Sequence, residues 1–351
     1  MSEYSTTPID YRKQVILKAV VTDYVQTAEP VGSHTLVTRY ELGVKSATIR
    51  NEMAELSELG YLRQPHTSAG RIPSDLGYRL YVDQLMDTIG LPQAEAAYAK
   101  DKLAPSRSEV ELIVESTCRI LSDLSHYTSM ATHPDRTDAV ISHISVANVG
   151  QGKLLAVMVL DNGRVVHELL EFDTKSRKLD PIKATNFLTQ MFAGRTLQSV
   201  RATAMESIPE DIADMVDLFG KVYQFVKREL DPKEDTEISM EGASYIMQQP
   251  EFKDVDRLEA ILSVLEQRSA LYKLLSSVYL GPEVMIIIGS ENPVSEMRDC
   301  SFVGTKYRIR GRTAGTIGVV GPTRMDYRRA VGAVEFMARN LGELLTSLSL
   351  S

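Results

Sequence analysis

Arg50 and Asn51 stand side by side. They carry the two side chains best matched to base edges in a DNA major groove. A guanidinium forks onto guanine O6 and N7, and a carboxamide forks onto adenine N6 and N7. Lys45, Ser46, Ala47 and Thr48 lie just before them, and Ser33 lies further upstream. Arg63, His66 and Arg71 follow in a segment that holds no acidic residue from 59 to 74. Residue types and order together suggest reading of bases by Arg50 and Asn51, with phosphate contacts from the flanking polar and basic groups.

Those side chains need a helix to carry them. Ser46 is a good N-cap, and Gly60 closes the helix that follows. Ile49, Met53 and Leu56 fall on one face at helical spacing, with Leu59 beside them. Ala47, Asn51, Ala54 and Glu58 fall opposite, flanked by Thr48 and Arg50. The positive end of the helix dipole favours phosphate near Arg50 and Asn51. Glu52, Glu55 and Glu58 lie further along and are expected to repel a phosphate backbone. Only the first two turns are therefore expected to enter a groove. Upstream, Pro30 and Gly32 precede Ser33, a second N-cap candidate, and a helix over 33–40. The turn 41–45 contains Gly43 and joins the two helices into a helix-turn-helix pattern. Downstream, 61–64 reads as a short strand, 65–70 as a turn and 71–72 as a return strand, which makes a wing. Ser74 is placed to cap a further helix from Asp75.

The motifs Pro30-Val31-Gly32-Ser33, Ser46-Ala47-Thr48-Ile49-Arg50-Asn51-Glu52-Met53 and Gln64-Pro65-His66-Thr67-Ser68-Ala69-Gly70-Arg71-Ile72-Pro73 closely resemble the bacterial heat-inducible transcription repressors of the HrcA family. Gly77-Tyr78-Arg79 and, far downstream, Gly318-Val319-Val320-Gly321-Pro322-Thr323-Arg324-Met325-Asp326-Tyr327 carry the same resemblance. It runs over most of the chain and is most specific in the winged-helix segment. The resemblance implies an α+β, multidomain protein: an N-terminal winged helix-turn-helix, then a GAF-like α+β domain interrupted by a mostly helical inserted dimerisation domain. The corresponding boundaries are 1–88 for the winged helix, 89–108 for a linker, 109–175 with 281–348 for the GAF-like part, and 176–280 for the insertion. It also implies a homodimer on an inverted-repeat operator in double-stranded DNA ahead of chaperone genes. The chaperonin is the implied partner that supports the active repressor. A winged-helix regulator switched by a small ligand in the GAF-like domain is the alternative reading.

Composition bounds the remaining choices. The chain has 351 residues, enough for two or three domains. Its net charge is -8, so it is no polycation that coats nucleic acid. Residues 1–86 hold nine Lys/Arg against ten Asp/Glu, so DNA binding must rest on local distribution. Cys118 and Cys300 form neither a disulfide framework nor a zinc motif and read as buried thiols. His126 and His133 lack a partner set for a metal. No apolar run approaches a membrane helix, and the N-terminus shows no signal-peptide core, so a cytoplasmic protein is expected. Gly311, Gly315, Gly318 and Gly321 lack the Lys-Ser/Thr of a P-loop and read as turns and strand crossings. No catalytic constellation is present; no enzyme activity, cofactor or metal is expected.

The rest of the chain divides by periodicity. Val15, Ile16, Ala19, Val20 and Tyr24 mark a helix over 10–27. Residues 88–108, with Gly90, Pro92 and Pro105, read as a linker. Val110, Ile113, Thr117, Ile120, Leu121 and Leu124 mark an amphipathic helix. From Val140 the pattern alternates, and Asp161-Asn162-Gly163 signals a hairpin, giving a three-strand meander to Phe172. Helices follow over 181–192 and 209–230, the second with Ile212, Met215, Phe219, Val222 and Val226 in line. Ile212, Met215, Phe219 and Val222 of that stripe read as a dimer contact. Val255, Leu258, Ile261, Leu262, Leu265 and Tyr272 mark one long helix. Strands resume at 283–289, 300–309 and 315–320, before a final helix from Met325.

Overall fold

The structure is a computed structural model, and it describes residues 9–87, 89–103, 110–134, 140–150, 152–161, 165–171, 180–196, 199–200, 216–230 and 238–348. The expected hairpin turn at Asn162-Gly163, and Ile212 and Met215 of the expected stripe, lie outside them. The protein is mixed α and β.

The N-terminal part begins with α1 (Tyr11–Thr27), α2 (Ser33–Arg39) and α3 (Ser46–Glu58). Asp10 caps α1 by accepting from the Lys13 amide. Strands β1 (Leu62–Arg63) and β2 (Ile72–Pro73) pair antiparallel. Helix α4 (Asp75–Leu80) follows, with Ser74 accepting from the Gly77 amide as its cap, and a π-helical turn continues it over Tyr81–Leu85. Ile16, Leu17, Val20, Leu36, Ile49, Met53 and Leu56 are all buried, as their helical spacing requires.

The expected linker is not featureless. It contains α5 (Gln93–Leu103), whose Ala99 and Leu103 are buried. Helix α6 (Val110–Ser125) follows, and all six of its predicted apolar-face positions are buried. The main sheet has five antiparallel strands, β3 (Thr128–Thr132), β7 (Ile238–Glu241), β8 (Val284–Ile288), β9 (Cys300–Ile309) and β10 (Arg312–Pro322), in the order β7-β3-β10-β9-β8. Side chains alternate across it. Ala131, Val303, Ile317 and Val319 join one apolar cluster with α6 and with α11 (Tyr327–Leu348). Met130, Phe302 and Val320 join another with α9 (Val255–Glu266) and α10 (Arg268–Leu280). The result is a helix–sheet–helix sandwich.

The central meander stands apart. Strands β4 (Ile141–Gly150), β5 (Lys153–Leu160) and β6 (Val165–Glu171) form their own sheet. One face packs with α7 (Pro181–Phe192) and α8 (Val216–Leu230) in a separate apolar cluster. The expected grouping put these strands with the C-terminal ones and left a mostly helical segment between them; in the structure the two sets of strands lie in different sheets. Period-2 alternation marks a strand but does not say which sheet it joins. Of the stripe read as a dimer contact, Phe219 and Val222 are instead buried within the chain, with Phe219 stacked on Phe192 at 5.3 Å between ring centroids. The long helix expected through Tyr272 is two helices that break at Gln267, and Val255 and Tyr272 are exposed.

Because Phe219 is a core residue of this unit, Phe219→Ala is expected to destabilise it by about 3–5 kcal/mol, the usual cost of truncating a buried aromatic. A urea titration followed by circular dichroism reads this as an earlier transition, and an unchanged midpoint rejects the assignment.

Candidate nucleic-acid interface

Helices α2 and α3 meet at their N-termini. Gly32 and Lys45 occupy the N-cap positions, and neither helix has a side-chain cap. Ser33 and Ser46, expected as caps, are instead the first helical residues. Their hydroxyls hydrogen-bond to each other at 2.9 Å. A contact between the two helices therefore replaces two local caps.

The hairpin is held by backbone. Val31 and Arg71 exchange two N–H···O bonds of 2.9 Å, so the return strand is tied to the residue just ahead of α2. Such an approach requires Gly70: a Cβ there would lie 2.3 Å from the Val31 carbonyl oxygen. Gly77 is required likewise, since its Cβ would lie 2.1 Å from the Tyr61 carbonyl oxygen. At the hairpin tip the Gln64 amide donates to the Thr67 and Ala69 carbonyls at 2.9 and 3.0 Å. That brace fixes the loop conformation around His66.

Charge is distributed by ion pairing. Lys13 on α1 meets Glu52 at 3.0 Å, Glu55 at 2.9 Å and Asp10 at 2.9 Å. These carboxylates, Glu55 foremost, hold the Lys13 ammonium above its ordinary pKa. Arg12 also reaches Glu52, at 3.4 Å. Glu52 and Glu55 are thus compensated from α1, which corrects their expected role as free repelling charges; Glu58 has no such partner among the described residues. Arg39 pairs with Asp23 at 2.7 Å, Lys18 with Asp87 at 2.8 Å, and Arg79 with Glu291. Five of the nine Lys/Arg side chains in 1–86 are therefore engaged. The remaining four are Lys45, Arg50, Arg63 and Arg71, and none pairs with an acid among the described residues. The Arg71 Nε is buried with no hydrogen-bond acceptor there.

Positions follow from these contacts. Lys45, Ala47, Arg50 and Asn51 are exposed on the turn and the first two turns of α3, with Ser46 and Thr48 half-buried beside them. Ser33 joins this group through Ser46, and Arg71 is linked to it through Val31. Arg63 and His66 are exposed on the hairpin, but no contact brings either to α3. Burial raises the Tyr24 hydroxyl's pKa, and Arg63 is one of the cations that oppose the rise, so Arg63 lies within electrostatic reach of the last turn of α1. Among the described residues no group of His, Cys, Asp and Glu could hold a metal ion, and no helix is long and apolar enough to cross a membrane.

Residues 111–331 match the family model described as the HrcA protein C-terminal domain. The chain is 38% identical over 336 residues to the heat-inducible transcription repressor HrcA of Symbiobacterium thermophilum, covering 96% of this chain and 98% of that one. The chain belongs to the HrcA family. The HrcA of Caldanaerobacter subterraneus subsp. tengcongensis is similar as well, 37% identical over 348 residues, with 97% of this chain and 98% of the relative covered. A crystal structure of a hypothetical protein at 2.2 Å shares the fold, with a TM-score of 0.67 at 19% identity over 97% of this chain and all of that one.

In this member of the family, the sequence pattern did not reveal the roles of Arg12, Lys13, Val31 and Gln64. Lys13 and Glu52 are far apart in sequence and carry no spacing signal. Gln64 sits next to a turn and could have been read as its brace. Gly70→Ala is expected to push Val31 and Arg71 apart and to cost about 1–3 kcal/mol, typical of overpacking. Hydrogen exchange tests this: the Val31 and Arg71 amides lose protection in the variant, and retained protection rejects the close-approach account.

Proposed function

We propose that this chain is a sequence-specific DNA-binding repressor that acts as a homodimer on an inverted-repeat operator of heat-shock chaperone genes. In this reading residues 1–88 are a winged helix-turn-helix, α3 is the recognition helix and the β1–β2 hairpin is the wing. The observation that carries it is the sorting of charge. The four cations of residues 1–86 that pair with no acid among the described residues are the four Lys/Arg candidates on α3, its preceding turn and the hairpin. Phosphates supply the missing anions. Arg50 and Asn51 read bases; Ser33, Lys45, Ser46, Ala47, Thr48, Arg63, His66 and Arg71 line the approach to the backbone. The names of the HrcA relatives support heat-regulated repression, and the resemblance supplies the chaperonin as the partner that favours the active form.

The five-stranded sheet with its helices, over about 109–134 and 238–348, is the GAF-like part in this proposal. The insertion then spans about 140–230, as a β-sheet backed by α7 and α8. Its outer face supports a role in dimerisation. Val165 and Leu169 on β6 are 58% and 55% exposed, beside half-buried Leu155, Val157 and Val159 on β5. A second copy of the chain covers this face. Two-fold symmetry then matches an inverted repeat with half-sites about 34–36 Å apart per helical turn.

Arg50→Ala and Asn51→Ala are each expected to cost about 1–3 kcal/mol of discrimination between operator and random duplex. Arg71→Ala instead weakens binding to both alike and lowers the salt slope by about one unit. Titrations on both duplexes at several salt concentrations separate the two roles. Equal weakening of all duplexes by Arg50→Ala and Asn51→Ala rejects base reading.

Leu169→Asp on the outer sheet face is expected to give a monomer by sedimentation, with operator affinity lowered about 10²-fold through loss of avidity. A dimer of wild-type affinity in that variant rules the face out.

A further inference from the structure

Two sequence motifs lie outside the proposed DNA face: Gly77-Tyr78-Arg79 in the N-terminal part and Thr323-Arg324-Met325-Asp326-Tyr327 in the C-terminal part. The fold brings them together. Arg79 on α4 donates from Nε to Glu291 at 2.8 Å and from Nη2 to the Ile286 carbonyl at 2.7 Å. Beside it the Asp75 carboxylate accepts from the Ser290 amide at 2.9 Å. From the other side, Arg324 donates from Nη1 to the Val25 carbonyl in the last turn of α1 at 2.7 Å. That carbonyl lies at the negative end of the helix dipole, where a cation is favoured. The Arg324 guanidinium is aimed by Glu251, and by Gln249 at 3.2 Å. Between the two arginines, the Tyr78 and Tyr327 rings lie 5.7 Å apart.

We propose that Arg79 with Glu291 and Arg324 with Glu251 form a clamp that sets the orientation of the DNA-binding part on the body, making them positioning residues for operator recognition. The inference rests on the homodimeric reading above. A dimer gains avidity only when both recognition helices are held at the separation and angle of the two half-sites. The clamp grips the first and fourth helices of the DNA-binding part, and α1 is itself ion-paired to α3. Orientation at the seam is thereby passed to the reading helix.

The seam also has weak points. The Tyr78 hydroxyl is buried and makes no hydrogen bond among the described residues. A buried hydroxyl without a partner weakens the contact that buries it. A cavity of about 360 Å³ lies alongside, lined by Val15, Lys18, Tyr40, Leu42 and Tyr81 against Met325 to Arg328. A clamp of directional polar contacts around imperfect packing can release on mild heating while each part stays folded.

The test uses the full-length protein and three duplexes recovered from its own operator: a single half-site, the native inverted repeat, and the repeat with half a helical turn inserted. Wild type is expected to prefer native over shifted spacing by about 10²-fold. Arg324→Ala keeps half-site binding within about twofold, which shows that its reading helix is folded, and its spacing preference falls below about tenfold. Glu291→Gln, which preserves side-chain size, carries the same test if Arg324→Ala loses the half-site. Tyr78→Phe has the opposite sign: spacing preference is kept and the operator is released at a higher temperature. Unchanged spacing preference in the arginine and glutamate variants, or earlier release in Tyr78→Phe, overturns the clamp while leaving the DNA-binding reading intact. Wild type that binds no inverted repeat in preference to random duplex overturns that reading and the clamp with it.

Discussion

The N-terminal part depends on one close backbone approach. Val31 and Arg71 exchange paired hydrogen bonds only because Gly70 leaves room for the Val31 carbonyl. That bridge places the start of α2 beside the return strand of the hairpin. The Ser33–Ser46 hydroxyl pair then places the start of α3 beside the start of α2. Two short contacts thus gather the candidate interface from segments that are separate in the chain. Neither contact uses a charged side chain, so the basic groups remain available to a ligand.

Electrostatics sorts these basic groups into two sets. An ammonium such as Lys13, gripped by three carboxylates, serves the interior geometry of the protein. A guanidinium such as Arg50, exposed and facing no acid among the described residues, has no such duty. The whole chain is acidic, yet this face is not. Net charge governs solubility and long-range repulsion, whereas binding to a duplex depends on the local pattern within a Debye length, about 8 Å at physiological salt. Acids within that distance weaken a basic patch unless they are compensated, which is what α1 does for Glu52 and Glu55.

The body answers a different requirement. Its five-stranded sheet is covered on both faces, so its strands can be apolar on both sides. Among the described residues the three-stranded sheet is covered on one face only, and its outer face keeps apolar residues exposed at Val165 and Leu169. Exposed, contiguous apolar surface favours association. One sheet closes the monomer, and the other presents a surface that a second copy can use.

Whatever depends on neighbours along the chain was legible in the residues. The stripe Ile49, Met53 and Leu56 defined α3 and its buried face, Gly60 its end, and Ser74 the cap of α4. The faces of α6 and of the final helix were equally plain, because helical periodicity is a local property. The exposed place of Arg50 and Asn51 on the first turns of α3 was legible too, since it follows from the same local period. Tertiary structure alone decided the rest. Ser33 and Ser46 pair with each other because two helix ends meet, which no capping rule foresees. Lys13 compensates Glu52 because α1 crosses α3. The meander forms its own sheet, and Phe219 and Val222 are covered within the chain, because which partner covers an apolar face is a long-range choice. Arg79 and Arg324 could be seen as motif residues, but only the folded chain shows that they close on the same seam.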